Sequence, residues 1–208
     1  TMIISKVEVF RIPRRINSPI GIRIYTDTGL YGDGEAALAY GKANNAAYGM
    51  LKDLVPLIIG MDPLDNEVIW DKIYDAAFWT QNGGPVIYGG ISAIDIALWD
   101  IRGKYFNVPV YKLLGGKKNP ELRAYASQLQ YYWGDWKHCG KYAMGTPEDY
   151  AENALRAVKE GYTAVKFDLL QVDKNGVSLA FKRFGGFLTT EILDQVEERM
   201  AAIREAVG

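Results

Sequence analysis

A short predicted strand carries two opposite charges in the segment Thr163-Ala164-Val165-Lys166-Phe167-Asp168. Successive side chains of a strand point to opposite faces. Thr163, Val165 and Phe167 therefore share one face, and the charges of Lys166 and Asp168 share the other. Inward-facing charges on a buried strand are typical of a functional site. An edge strand with solvated charges is the alternative that these six residues leave open.

Around this segment, the second half of the chain alternates predicted strands with predicted helices. The strands are predicted at 122–128 and 163–168, and the helices at 146–161 and 190–208. Two successive strand–helix units imply parallel strands joined by right-handed crossovers. Two parallel strands cannot close a barrel or cover both faces of a sheet. This half is therefore part of something longer, or completed by a partner, or smaller than its pattern indicates.

The predicted helices of this half have recognisable ends. Thr146 is a candidate cap, with Pro147 at the first helical position and Asp149 placed for a capping box. Gly161 suits the left-handed position that ends a helix, and Thr190 is the predicted cap of the last helix. The buried stripes are predicted to consist of Tyr150, Ala154, Leu155 and Val158 in one helix and Ile192, Val196, Met200, Ile203 and Val207 in the other.

The first half has strands before helices, which predicts an α+β domain. Strands are predicted at 2–12 and 20–36, the latter with an internal turn, and helices at about 43–58, 65–79 and 86–106. The last helix has the clearest apolar stripe, formed by Ile91, Ile94, Leu98, Ile101 and Tyr105.

Composition excludes several classes of function. The 208 residues carry a formal net charge of −1, which gives no footprint for nucleic acid or an anionic membrane. No apolar run reaches the length of a membrane span. The single cysteine, Cys139, cannot form an intramolecular disulfide, so the reducing cytoplasm is the expected location. The single histidine, His138, lies in neither a zinc-ligand nor a catalytic-triad pattern and is interpreted as a loop residue.

Five segments of the chain, taken together in order and spacing, resemble the enolase superfamily. They are the hairpin and Gly-x-Gly-Glu strand at 26–35, the glycine turn at 83–85, the helix at 94–104, the segment at 108–116 and the lysine-bearing strand at 161–168. The resemblance is to the N-terminal half of the mandelate racemase/muconate lactonizing enzyme-like branch that contains the acid-sugar dehydratases. It implies an α+β capping domain at 1–118, followed at 119–208 by the first βα units of a modified TIM barrel, truncated after the second helix.

The resemblance also implies a chemistry, in which the proton beside a substrate carboxylate is removed and Mg²⁺ and nearby cations stabilise the enediolate. Lys166 matches the lysine that lies against the substrate carboxylate. Many relatives carry a second lysine where this chain has Asp168, and a neighbouring carboxylate favours protonated Lys166, an electrostatic clamp rather than a base. Asp168 would orient Lys166 or bind substrate hydroxyls. A Lys–Asp pair that only fills polar space is the structural alternative.

The expected activity is dehydration of a sugar acid, with loss of the β-hydroxyl as water. A racemase or epimerase and a cycloisomerase of the same superfamily are the alternatives, and a non-catalytic fragment is another. In the family the Mg²⁺ ligands lie on later barrel strands, so they are expected beyond residue 208 and the 208-residue chain alone is expected to be inactive. Homo-oligomers are common in the family, and a homo-oligomer is expected here.

Five residues are candidates for contact with the sugar acid or for its selection. Arg14 and Asn17 lie in a proline-bracketed loop that resembles the mobile capping-domain loop. Tyr131 and Trp133 follow the first predicted barrel strand, where aromatic rings suit sugar stacking or subunit packing. Trp79 is the remaining candidate. A dinucleotide site is rejected because Gly32 and Gly34 follow a hairpin and do not open a βαβ helix.

Overall fold

The computed structural model describes residues 1–12, 18–37, 44–131, 144–177, 179 and 186–208. The chain forms two compact units, Thr1–Lys118 and Asn119–Gly208. Four residues discussed above, Arg14, Asn17, Trp133 and His138, lie outside the described residues, as does Cys139. Within the described part of the chain, no helix is long and apolar enough to cross a membrane.

The first unit contains a three-stranded antiparallel sheet in the order β1-β2-β3, with β1 at Ile4–Arg11, β2 at Ile20–Thr26 and β3 at Tyr31–Ala36. Ile20, Ile22 and Ile24 on the central strand are fully buried, as the predicted alternation requires. On the opposite face Arg23 pairs with Asp33 of β3, with Arg23 Nε 2.6 Å from Asp33 Oδ1. The predicted strands and the hairpin between β2 and β3 are confirmed.

The helices of the first unit are α1 (Asn44–Ile58), α2 (Asn66–Tyr74), α3 (Phe78–Gln81), α4 (Gly84–Tyr105) and α5 (Val110–Leu113). The core lies between the sheet and α1, α2 and α4. These elements form the predicted α+β arrangement.

The long helix α4 packs directly on β3, and two glycines make this approach possible. A Cβ atom at Gly32 would lie 2.0 Å from the Ala97 carbonyl oxygen, and one at Gly34 would lie 2.0 Å from the Ala93 carbonyl oxygen. The Gly-x-Gly pattern of β3 therefore serves close packing of backbone on backbone.

Two helical predictions in this unit need correction. The single helix predicted at 65–79 is broken between α2 and α3, because the Thr80 hydroxyl accepts a hydrogen bond from Ala77 N (3.1 Å) and donates to Tyr74 O (2.7 Å). Side-chain bonds of this kind compete with the helical ladder. In α4, four members of the predicted stripe are buried, but Tyr105 at its end is 52% exposed.

The second unit contains two helices packed against each other, α6 (Pro147–Lys159) and α7 (Thr190–Val207). The predicted capping box is confirmed, since Asp149 N donates to Thr146 Oγ1 (3.3 Å) and Thr146 N donates to Asp149 Oδ2 (3.0 Å). Gly161 has the expected positive φ of 94°. The cap of α7 is Thr189, one residue earlier than predicted, because the Thr189 hydroxyl accepts from Ile192 N.

The predicted strands at 122–128 and 163–168 are wrong as full strands. They meet in a single parallel bridge between Ala126 and Val165, in which Ala126 N donates to Ala164 O (3.0 Å) and Lys166 N donates to Ala126 O (2.8 Å). A parallel pair of strands is marginal without further neighbours. The predicted parallel direction is confirmed at this bridge.

The helical stripes of the second unit also differ from those predicted. Leu155, Val158 and Met200 are 39%, 46% and 46% exposed, whereas Asn153 and Arg199 are buried. Polar side chains occupy these two interior positions because backbone carbonyl groups face them.

Candidate functional site

The charged segment lies immediately after the parallel bridge of the second unit. Val165 and Phe167 pack into apolar clusters beneath it, while Lys166 is exposed and Asp168 half-buried. The expected division into two faces is therefore present from Val165 to Asp168. Thr163 does not join the apolar face, because it is exposed and its hydroxyl accepts a hydrogen bond from Arg123 Nε at 2.8 Å. Within the described part of the chain, Lys166 and Asp168 form no ion pair with each other, and Asp168 is held instead by amide groups.

Two glutamine side chains contact the Asp168 carboxylate, and a third, Gln171, contacts one of these two. Gln130 Nε2 lies 3.3 Å from Asp168 Oδ2, and Gln128 Nε2 lies 3.4 Å from the same oxygen. Gln130 Oε1 accepts a hydrogen bond from Asp168 N at 3.3 Å. Gln130 Nε2 also approaches Gln171 Oε1 (2.5 Å) and Gln128 Oε1 (3.1 Å). These residues form a connected polar network, which is called the glutamine network below.

The backbone of Gln128 helps to form this network. Its φ of 65° is in the left-handed region, which is uncommon for a residue with a side chain and often marks a functional position. This turn ends the extended segment that contains Ala126. It brings Gln128 and Gln130, which lie two residues apart, to the same side as Asp168.

Asn153 fixes the backbone on the other side of the network. Its Nδ2 donates to the carbonyl oxygens of Leu129 (2.7 Å) and Tyr131 (2.9 Å), while its Oδ1 is buried without a partner in the described structure. Helix α6 therefore holds both residues that flank Gln130. Tyr131, one of the predicted substrate contacts, lies beside the network and is half-buried.

Arg199 of α7 fixes two backbone segments of the second unit, one at Gly145 and one at 169–172. It is 1% exposed, and its guanidinium donates to the carbonyl oxygens of Gly145 (2.8 Å), Leu169 (2.7 Å) and Val172 (2.9 Å). Buried charges require such partners. The segment that follows Asp168 is thus tied to a helix far along the chain.

Tyr150 lies between Arg199 and the charged segment. Its ring is 5.5 Å from the Phe167 ring, between centroids, and 4.8 Å from the Arg199 guanidinium carbon. Its hydroxyl is buried and has no hydrogen-bond partner in the described structure. Burial raises the pKa of Tyr150 to about 12, since it disfavours the charged phenolate.

The structure brings together Lys166, Asp168 and Tyr131 among the residues predicted from the sequence. Trp79 lies in α3 of the first unit and is 78% exposed. The glutamine network and Asn153 were missed, although Gln128 and Gln130 show a period of two at a strand end. Arg199 was missed too, although it lies on the apolar face of α7 between Val196 and Ile203.

The described residues do not fit a Mg²⁺ site. They contain no group of three or more histidine, cysteine, aspartate or glutamate side chains placed to hold a metal ion. Amide side chains surround Asp168, whereas magnesium sites in proteins rely on carboxylates and water. The site as described can bind a carboxylate at Lys166 and a hydrogen-bond donor at Asp168.

Comparison with known proteins identifies relatives for both units. Residues 13–115 match the family model of the mandelate racemase / muconate lactonizing enzyme N-terminal domain. A D-galactonate dehydratase from Verminephrobacter eiseniae is 32% identical over 208 residues, covering 100% of this chain and 46% of that protein. A D-mannonate dehydratase from Novosphingobium aromaticivorans is 40% identical over 106 residues, covering 51% of this chain and 26% of that protein.

Solved structures similar to this chain come from the same superfamily. A member of the enolase superfamily from Salmonella Typhimurium has a TM-score of 0.92 and 46% identity, covering 100% of this chain and 52% of that one. A mandelate racemase/muconate lactonizing enzyme from Sulfitobacter sp. has a TM-score of 0.81 and 29% identity, covering 100% and 51%. The chain thus spans less than half the length of these curated relatives and about half of these solved chains.

Proposed function

This chain belongs to the mandelate racemase/muconate lactonizing enzyme branch of the enolase superfamily, where it corresponds to the N-terminal half, and we propose that the whole protein dehydrates a sugar acid. The observation that carries the proposal is that an exposed Lys166 lies two residues before an Asp168 whose carboxylate is held by amides. The names of the two relatives, a D-galactonate dehydratase and a D-mannonate dehydratase, support the substrate class.

In this proposal the second unit is the start of a modified TIM barrel. The parallel bridge between Ala126 and Val165, with α6 in the connection between them, supports this assignment. In such barrels the active site lies at the carboxyl ends of the strands. Lys166, Asp168 and the glutamine network follow the two bridge residues directly, so they would lie at that mouth.

The two charged residues have separate roles in the proposed reaction. The Lys166 ammonium pairs with the substrate carboxylate and stabilises the negative charge that grows there when the neighbouring proton is removed. Asp168 accepts a hydrogen bond from a substrate hydroxyl, which orients the sugar chain. Loss of the α-proton and the β-hydroxyl converts the acid to a 2-oxo-3-deoxy acid and water. Mg²⁺ is proposed only for the whole protein, because the described residues do not fit it, and no step here depends on it.

Replacement of Lys166 tests the proposed site in the whole protein. We expect Lys166→Met to lower kcat for sugar-acid dehydration by at least about 1,000-fold, because it removes a charge that acts on the transition state. The control is Lys174→Met, which removes an exposed lysine paired with Glu191 across 3.1 Å. Dehydration is measured as formation of the 2-oxo acid from a panel of sugar acids. Near-normal turnover by Lys166→Met would remove Lys166 from the mechanism.

A further inference from the structure

We propose that Gln130 is a positioning residue for Asp168. It fixes one carboxylate oxygen of Asp168 and leaves the other to accept a hydrogen bond from a ligand hydroxyl. The identity of that ligand rests on the proposed function, whereas the positioning role rests on the contacts of Gln130 alone. Gln130 is fully buried, so it acts through Asp168 and does not itself contact the substrate.

The oxygen and the nitrogen of the Gln130 amide match the backbone N–H and the carboxylate of Asp168. Gln130 Oε1 accepts from Asp168 N, and Gln130 Nε2 donates to Asp168 Oδ2, both at 3.3 Å. A flipped amide would place an N–H group against an N–H group and an oxygen against a carboxylate. Only one orientation of the amide is therefore compatible with Asp168, and in it both the main chain and the side chain of Asp168 are held.

The hydrogen bonds to the Asp168 carboxylate are distributed unequally over its two oxygens. Asp168 Oδ2 receives two amide groups, from Gln130 and from Gln128, and neither of these amides donates to Oδ1. Rotation of a carboxylate about its last torsion is otherwise broad. Two donors on one oxygen hold the plane of the group, and the remaining lone pairs then select a ligand that donates. A hydroxyl satisfies this requirement, whereas a second carboxylate or a phosphate would be repelled.

The Gln130 amide is itself anchored on several sides. Its Nε2 shares two hydrogens among three acceptor atoms, Asp168 Oδ2 and the side-chain oxygens of Gln171 and Gln128. Its backbone oxygen accepts from Met144 N at 3.1 Å. Asn153 holds the carbonyl groups of both chain neighbours of Gln130. A buried amide anchored in this way loses little freedom when a ligand binds, which is the requirement for a preorganised site.

The first test measures hydrogen exchange of the Asp168 amide in this chain. Gln130→Met removes its acceptor, so we expect exchange to accelerate about tenfold, as loss of one hydrogen bond predicts. Gln130→Glu keeps the acceptor and the shape of the side chain, so exchange should stay closer to that of the original chain. Gln195→Met, at a half-exposed position on α7, is the control and should leave the Asp168 amide unchanged.

The second test measures kinetics in the whole protein. Misplacement of Asp168 should lower kcat/KM for the sugar acid about 100-fold in both Gln130 variants. The loss of kcat/KM should be much smaller for an analogue that lacks the hydroxyl bound by Asp168. This analogue is found by testing deoxy sugar acids with the Asp168→Asn variant, which should no longer distinguish it from the parent acid. A merely structural role of Gln130 would lower kcat/KM equally for both substrates. If Gln130→Met does not fold, the same comparison of kcat/KM is made with Gln130→Glu.

The outcomes separate this inference from the proposed function. Unchanged exchange of the Asp168 amide in Gln130→Met overturns the positioning role, and so does an equal kinetic loss on both substrates. If the exchange result is as expected but the original whole protein dehydrates no sugar acid, the proposed function fails and the positioning role stands.

Discussion

At the scale of single residues, Arg199 shows how a buried charge can be structural. Its three carbonyl partners belong to two segments, Gly145 and 169–172, that are both distant from Arg199 in sequence, and its guanidinium also covers the Tyr150 ring. Periodicity located the apolar face of α7 but not this exception. Tertiary contacts decide which carbonyl groups lie within reach of this arginine, and a helical pattern contains no information about them.

Removal of Arg199 should loosen the backbone around the candidate site. We expect Arg199→Met to destabilise the second unit by about 2–4 kcal/mol, because it leaves buried carbonyl groups without donors. Hydrogen exchange over 144–177 measures the change locally. The control Arg204→Met removes a guanidinium that donates to Gly208 O at the exposed end of the same helix, and it should change stability by less than about 0.5 kcal/mol. Equal exchange in the two variants would contradict the structural role of Arg199.

Tyr150 gives a prediction for pH dependence. Its pKa in the folded chain is about 12, above the ordinary 10.0, so the unfolded chain loses this proton first as the pH rises. The contribution of Tyr150 to stability should therefore be constant below pH 10 and should fall by as much as about 3 kcal/mol between pH 10 and 12. Urea unfolding of Tyr150→Phe should lack this part of the alkaline loss, whereas Tyr105→Phe, at a half-exposed position, should retain it. An identical pH profile for Tyr150→Phe and the original chain would contradict this prediction.

At the scale of secondary structure, the contact between α4 and β3 determines the packing of the first unit. The two glycines of β3 allow the close approach of α4, and α4 also supplies polar groups to the strand. Lys104 Nζ donates to Tyr31 O at 2.7 Å, and Asp33 N donates to Asp100 Oδ2 at 3.0 Å. Helical side chains therefore satisfy backbone groups at the free edge of the sheet, which otherwise invites pairing with another chain.

Two glycine substitutions with opposite expected signs test this packing. Gly34→Ala should destabilise the first unit by about 1–3 kcal/mol or more, because its methyl group would overlap the Ala93 carbonyl group of α4. Gly49→Ala, at an exposed position of α1 with open space around the new Cβ, should stabilise by about 0.5–1 kcal/mol. Thermal unfolding measures both. A neutral Gly34→Ala would show that α4 can move away from the sheet at little cost.

The sequence predicted secondary structure best where short-range signals suffice. The capping box at Thr146, the helix end at Gly161 and the buried stripe of α4 all depend on neighbours within about one helical turn. It failed for the segments at 122–128 and 163–168, where a strand depends on pairing partners distant in sequence. It also failed at the break between α2 and α3, which is caused by one threonine hydroxyl.

At the scale of the whole molecule, the chain consists of two units with different roles in the proposal. The first matches the family's N-terminal domain, and the second carries Lys166, Asp168 and the glutamine network. Motif order and spacing sufficed to recognise the superfamily from the sequence. The amides around Asp168 could not be predicted in the same way, since they depend on the left-handed turn at Gln128 and on a buried contact 38 residues along the chain.

In the proposed reaction, the whole protein removes the proton beside the carboxylate of a sugar acid and then eliminates water. Incubation with D-galactonate and D-mannonate in deuterium oxide, followed by proton NMR, tests it most directly. We expect a 2-oxo-3-deoxy acid that carries deuterium at the carbon next to the oxo group, and no such product with Lys166→Met. Substrate that exchanges its α-proton for deuterium without loss of water would contradict the proposed dehydration and would identify a racemase or epimerase instead.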